Sequence, residues 1–178
     1  MPQGKIVKAL SGFYYVQDGE RVIQCRGRGV FRKNKITPLV GDEVEYQAEN
    51  DKEGYILDVY NRKNELVRPP ISNVDQAILV FSAVEPDFSS VLLDRFLVLI
   101  EANDIEPIIV ISKTDLIASS EVQKSVEDYA KDYQNIGYQV LLTSTIEGNS
   151  LDDLHPLLDE KISVFAGQSG VGKSSLLN

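Results

Sequence analysis

The sequence is poor in the side chains that build disulfides and metal clusters. Cys25 is the only cysteine and His155 the only histidine among 178 residues. An intramolecular disulfide and a Cys/His zinc cluster within these residues are therefore excluded. Cys25 reads as a small strand residue and His155 as a residue on a helix surface. Long hydrophobic runs are missing as well. None reaches the roughly 18 residues of a membrane span, and Met1-Pro-Gln-Gly-Lys-Ile-Val has no signal-peptide core. The expectation is a cytoplasmic protein with no membrane partner. A hydrophobic content of 43% is that of a globular chain, long enough for one or two domains.

The net charge of −9 is unevenly spread. Residues 1–70 carry 12 Lys/Arg against 10 Asp/Glu, whereas residues 71–178 carry 6 against 17. Such asymmetry points to two modules with different partners. The first is built of short β-rich pieces. Lys5–Leu10, Phe13–Val16 and, after the turn at Asp18-Gly19, Arg21–Cys25 read as strands. Val40–Tyr46 and Tyr55–Tyr60 alternate in the same way. Five short strands in some 65 residues suggest a small closed barrel, with the OB-fold as first candidate.

One basic segment stands out there: Arg26, Arg28, Phe31, Arg32, Lys33 and Lys35, interrupted by glycines. It suits a mobile loop following a phosphate backbone, with Phe13, Tyr14 and Tyr15 adding a stacking surface for unpaired bases. A solvated loop over core aromatics is the other reading. Arg68-Pro69-Pro70 cannot continue a helix or a sheet interior, and places a domain join at 68–73. The expected domains are thus 1–68 and 69–178.

Beyond the join, strands alternate with helices. Gln76–Ser82 is a continuous apolar run, as in a strand covered on both faces. Ser89 or Ser90 caps a helix with apolar positions Val91, Leu92, Phe96, Leu99 and Ile100. Pro107–Ser112 is a strand, and Ser119 or Ser120 caps a charged helix ending at Gly137. A strand over Tyr138–Thr143 and a short helix limited by Pro156 precede a last strand at Ile162–Ala166. This order predicts a mostly parallel sheet with helices on its faces.

That last strand feeds Gly167-Gln168-Ser169-Gly170-Val171-Gly172-Lys173-Ser174, which fits G-x-x-x-x-G-K-[ST] at every fixed position. Ser174-Ser175-Leu176-Leu177 begins a helix whose free N–H groups and dipole face the bound phosphates. The glycines let the backbone approach a polyphosphate closely. Lys173 places an ammonium against the β- and γ-phosphates, and the Ser174 hydroxyl ligates Mg²⁺. In such a sheet ligands bind beyond the carboxyl ends of the strands. Ser112-Lys113-Thr114-Asp115 and Thr143-Ser144 leave the same edge. An aspartate there accepts two parallel hydrogen bonds from guanine and is repelled by adenine. Lys113 lays its aliphatic stem over the base, and N–H groups near Ser144 donate to the guanine carbonyl.

Base-side residues preceding the phosphate loop is the order of a circularly permuted GTPase. With the OB-like barrel, the join Leu66–Gln76 and the stretch Val84–Leu97, the whole chain closely resembles the bacterial small-ribosomal-subunit-dependent GTPase family (RsgA, also called YjeQ or YloQ). The resemblance implies an all-β OB-fold barrel followed by an incomplete, circularly permuted α/β P-loop GTPase domain. It implies GTP/GDP and Mg²⁺ as ligands, and hydrolysis stimulated by the small ribosomal subunit late in its maturation. It also implies a barrel that contacts ribosomal RNA, and a monomer. Lys173 and Ser174 take the catalytic roles, and Lys113, Asp115, Ser144 and Gly167 through Ser175 hold the nucleotide.

Ser112 departs from the asparagine or threonine usual in the family, removing an amide donor. The switch regions, an Asp-x-x-Gly motif and a C-terminal zinc-binding domain are not among residues 1–178. The chain therefore reads as a fragment with negligible GTP hydrolysis of its own. A P-loop ATPase, a non-hydrolysing RNA-binding module with a vestigial nucleotide domain, and a GTP-operated scaffold of another large complex are the alternatives at this point.

Overall fold

Buried and exposed side chains alternate along β1 (Gln3–Leu10), β2 (Phe13–Asp18), β3 (Arg21–Gly27), β4 (Glu43–Ala48) and β5 (Gly54–Val59). A period of two with one apolar face is what closes a sheet around its own core. The computed structural model describes residues 1–29, 31, 35–143 and 150–167, with the backbone alone for 150–153. The five strands form a closed barrel in the order β1-β2-β3-β5-β4. β3 and β5 pair in parallel, and the other neighbours are antiparallel. Ile6, Val16, Ile23, Cys25, Phe31, Val44, Tyr46 and Ile56 fill the interior.

The fourth strand starts later than its alternation suggests, at Glu43. Gly41 takes φ 98 and lies so close to Ser72 that a Cβ there would sit 2.0 Å from the Ser72 carbonyl oxygen. Val40 bridges to Ile71 instead of joining β4. Asp42 is fully buried, and its carboxylate accepts from Arg62 Nε (2.8 Å) and Nη2 (2.9 Å), Ser72 Oγ (2.6 Å) and the Leu39 N–H (2.7 Å). A buried carboxylate is tolerable only when satisfied in this way. The short hairpin β6 (Glu65–Leu66) and β7 (Ile71–Ser72) is thereby clasped to the barrel, with Arg68-Pro69-Pro70 at its tip. Asn64 adds paired hydrogen bonds to the Val74 backbone. The first compact unit is Met1–Val74 and the second begins at Asp75.

In the second unit β8 (Gln76–Ser82), β9 (Glu106–Ser112), β10 (Gln139–Leu142) and β11 (Ser163–Gly167) are all parallel, in the order β10-β9-β8-β11. Every residue of β8 is buried, as the continuous apolar run requires. α1 (Ser90–Ala102), capped by Ser89, and α2 (Ser120–Ile136), capped by Ser119 and ended by Gly137, fall where their capping residues predict. α3 spans Ser150–Leu158 and contains Pro156 rather than stopping before it. Leu154 of α3 packs on Ile78, Val80, Ile108 and Val110.

α1 is rotated relative to the expected face. It buries Leu93, Leu97 and Ile100 at i, i+4 and i+7, and leaves Val91 and Leu99 more than half exposed. The helix is apolar on more than one side, so packing rather than periodicity sets its rotation, and Phe96 against Phe81 is part of that packing. The Tyr133 hydroxyl of α2 donates to Asp94 of α1 (2.8 Å), and Tyr138 donates to Glu101 (2.9 Å). No helix among the described residues is long and apolar enough to cross a membrane.

Candidate nucleotide site and barrel surface

The carboxyl ends of β8, β9 and β11 lie side by side. Ser82 pairs with Ser112, and Val80 with Gly167. Ser112 is buried and its hydroxyl donates to the Phe81 carbonyl at 3.4 Å. The chain then turns sharply: Lys113 takes the left-handed conformation (φ 58) and Thr114–Leu116 forms a single 3₁₀ turn. The Thr114 N–H and hydroxyl both donate to the Thr143 carbonyl (3.3 and 3.1 Å), knitting the exit of β9 to that of β10. Lys113 Nζ donates to the Glu85 carbonyl at 2.6 Å. Asp115 sits half-buried in the turn. Thr143 Oγ1 is buried with no hydrogen-bond partner among the described residues.

At the end of β11, Gly167 has φ 141, and a Cβ there would lie 2.0 Å from the Val80 carbonyl oxygen. Only glycine fits, so the backbone itself leads off the sheet edge at this point. Of the residues expected at the nucleotide, the structure brings Lys113, Asp115 and Gly167 to one edge of one sheet. Ser144 and Gln168 through Ser175, with Lys173 and Ser174, lie outside the described residues. Asp75 and Gln76 fix the entry to β11. Asp75 Oδ2 accepts from the Ile162 N–H (2.7 Å), and Gln76 Nε2 donates to Ser163 Oγ (2.8 Å) and the Leu157 carbonyl (2.6 Å). No group of three or more His, Cys, Asp or Glu side chains among the described residues is placed to hold a metal ion.

On the barrel, Arg28 and Lys35 are exposed and line a cleft of about 480 Å³ with Arg26, Tyr14 and Thr37. Arg26 is also exposed, but it belongs to β3 and not to the loop that follows. Arg32 and Lys33 lie outside the described residues. Phe31 corrects the expectation of a ring offered to RNA: it is only 5% exposed and packs in the barrel interior. The basic stretch thus uses its one aromatic as a hydrophobic anchor. Tyr55 is about half exposed on β5, and nothing in its local sequence marks it as a site residue. Its inward neighbour Ile56 implies that it points outward, but its strand partner across the barrel is not written in the sequence.

A five-stranded barrel precedes a parallel α/β domain in which the turn at Ser112–Asp115 comes before the strand that ends at Gly167; this is the architecture of a circularly permuted GTPase. The chain matches the RsgA N-terminal domain over residues 3–56 and the RsgA GTPase family over residues 59–178. It is 66% identical over its whole length to the small ribosomal subunit biogenesis GTPase RsgA of Bacillus subtilis (strain 168), and 62% identical to that of Halalkalibacterium halodurans. It covers 61% and 60% of those proteins. Among solved structures, 99% of the chain superposes on the circularly permuted GTPase YloQ (TM-score 0.87, 66% identity, 63% of that chain). The same share superposes on YjeQ from Thermotoga maritima (TM-score 0.90, 40% identity, 64% of that chain). The chain belongs to the RsgA GTPase family. It spans about three-fifths of the length of the curated relatives it matches.

Proposed function

We propose that the full-length protein is a cytoplasmic, monomeric GTPase that acts late in maturation of the small ribosomal subunit and contacts its RNA through the barrel. The carrying observation is the meeting of Asp115, Lys113 and Gly167 at one sheet edge, where the exit of β9 is also tied to that of β10 through Thr114 and Thr143. A guanine nucleotide fits these residues. Asp115 supplies a carboxylate for the ring N–H and amine, and Gly167 admits only backbone where the phosphate loop begins.

Within this reading Lys113 lines the base with its stem, and the backbone near Ser144 donates to the guanine carbonyl. The N–H groups of residues 167–175 cradle the phosphates, while Lys173 neutralises the charge that develops on the transferred phosphoryl group. Mg²⁺, held in part by Ser174, supplies further charge neutralisation when bound. The reaction is attack of water on GTP to give GDP and phosphate. Zinc belongs to a further domain of the family and to none of these residues.

Competition binding tests the nucleotide. GTP is expected to displace a fluorescent guanine nucleotide from the full-length protein far better than ATP, and Asp115→Asn to cut that preference by at least tenfold. Equal displacement by ATP would sink the guanine reading. Co-sedimentation with small ribosomal subunits, stronger with a non-hydrolysable GTP analogue than with GDP, tests the partner.

A further inference from the structure

The outward surface of the barrel carries an aligned row of side chains that the nucleotide site does not use. Phe13 on β2 pairs with Arg26 on β3, Arg26 with Tyr55 on β5, and Tyr55 with Gln47 on β4. Register partners share a face of a sheet. Because Cys25 and Ile56 point into the core, all four of these point out. The row crosses four strands and lines one side of a cleft of about 710 Å³. Arg26 lies over the Phe13 ring, its Cζ 5.0 Å from the centroid, so the guanidinium is already held against an aromatic face. One step along β2, Tyr15 is outward too, with Lys8 Nζ 5.3 Å from its ring centroid. It pairs with Gln24, which also lines the cleft.

We infer that this cleft is a stacking site for unpaired nucleotides of an RNA strand, with Tyr55 and the Arg26–Phe13 pair as its platform. The inference rests on the RNA-contacting reading of the barrel. An exposed ring, Tyr55, and a half-buried one, Phe13, with a cation between them offer flat faces to bases, and bases in a duplex already spend their faces on one another. Gln24 and Gln47 each supply amide donors and an acceptor for base edges. The turn between β4 and β5 adds Glu49, Lys52 and Glu53 to the lining of the cleft. With two carboxylates against one ammonium this turn is net negative and disfavours phosphate, which favours a strand backbone on the other side. Arg26 lines both clefts, and the second holds Arg28 and Lys35. The base enters the aromatic cleft and its phosphates follow the basic one.

The test uses the full-length protein and a single-stranded pentaribonucleotide with 2-aminopurine at its centre. Binding is expected to quench the probe and to weaken with salt. Tyr55→Ala should weaken it about tenfold or more, while Tyr55→Phe keeps it within about twofold. Since Tyr55 is exposed, neither change disturbs the core. A duplex of the same sequence should not displace the probe. Unchanged affinity in Tyr55→Ala, displacement by the duplex, or no binding of the probe would each overturn the inference. Co-sedimentation of the wild-type protein with small ribosomal subunits separates the two levels. If it persists while Tyr55→Ala binds the probe normally, only the cleft is wrong. If the wild-type protein fails to co-sediment, the ribosomal reading falls with it.

Discussion

The two units solve the same problem, keeping a sheet dry, in opposite ways. The barrel folds its apolar face inward and leaves one whole face of every strand in water. In the α/β unit, helices lie against the sheet and β8 has no exposed residue at all. A sheet covered on both faces has only its edges left for ligands, whereas a barrel can use its wall. That difference fits a candidate nucleotide site beyond the strand ends and a candidate RNA platform on the outward wall of four strands, near one end of each. It also fits the charge division, with the basic excess in the unit whose wall is open.

The sharpest way to break the comparison is to open the barrel alone. Asp42→Ala removes the acceptor of four hydrogen bonds and leaves Arg62 without its buried partner. The expected loss is about 3–5 kcal/mol, read by hydrogen exchange as deprotection of β1, β4 and β5 with β8 and β9 unchanged. Deprotection spread equally over both units would show that they do not unfold separately.

A smaller loss, in the other unit, is expected from Gly167→Ala. A side chain forced into that left-handed position costs about 1–3 kcal/mol, confined to the α/β unit, and guanine nucleotide affinity should fall with it. Retained affinity in a folded variant would show that the approach of β11 to β8 does not matter to the ligand.

The smallest effect vanishes at neutral pH. Burial pushes the Cys25 thiol from 9.0 up to about 11. Burial, aided by its hydrogen bond to Asp18, pushes Tyr46 from 10.0 up to about 12. In both cases the folded barrel holds the proton more tightly than the unfolded chain. Their contribution to stability is thus complete below about pH 9 and lost as pH rises toward 12. Tyr133 in the α/β unit is also raised, by burial and then by its bond to Asp94, but its loss begins only above its ordinary value of 10.0. Alkaline titration should therefore loosen the barrel first, and simultaneous loosening of both units would contradict this assignment.

Local signals carried far in this chain, and failed where a distant partner decides. The caps at Ser89, Ser119 and Gly137 depend on neighbouring backbone groups, and each stands where its chemistry indicates. The all-buried β8 follows from its composition in the same way. By contrast, Val40-Gly41-Asp42 alternates like a strand, but Arg62 and Ser72, some 20 and 30 residues on, draw Asp42 into a clasp. The rotation of α1 and the inward turn of Phe31 are likewise settled by what they meet. At the candidate nucleotide edge, the placement of Lys113, Asp115 and Gly167 was legible because their motifs are local and their strands run parallel. Tyr55 was not, since its value depends on a β3–β5 register that no short segment specifies.

The position of β11 has a consequence for how the chain is made. Synthesis delivers β8, β9 and β10 before β11, and those three already form neighbours in the final sheet. β11 then adds beside β8 at the outside of the trio, so no ladder need part to admit it. The turn after β9, the candidate base side, can be in place while β11 is still emerging, since domains fold largely as they leave the ribosome. Arrested nascent chains ending before Lys161 are accordingly expected to resist proteolysis across β8–β10 without retaining guanine nucleotide.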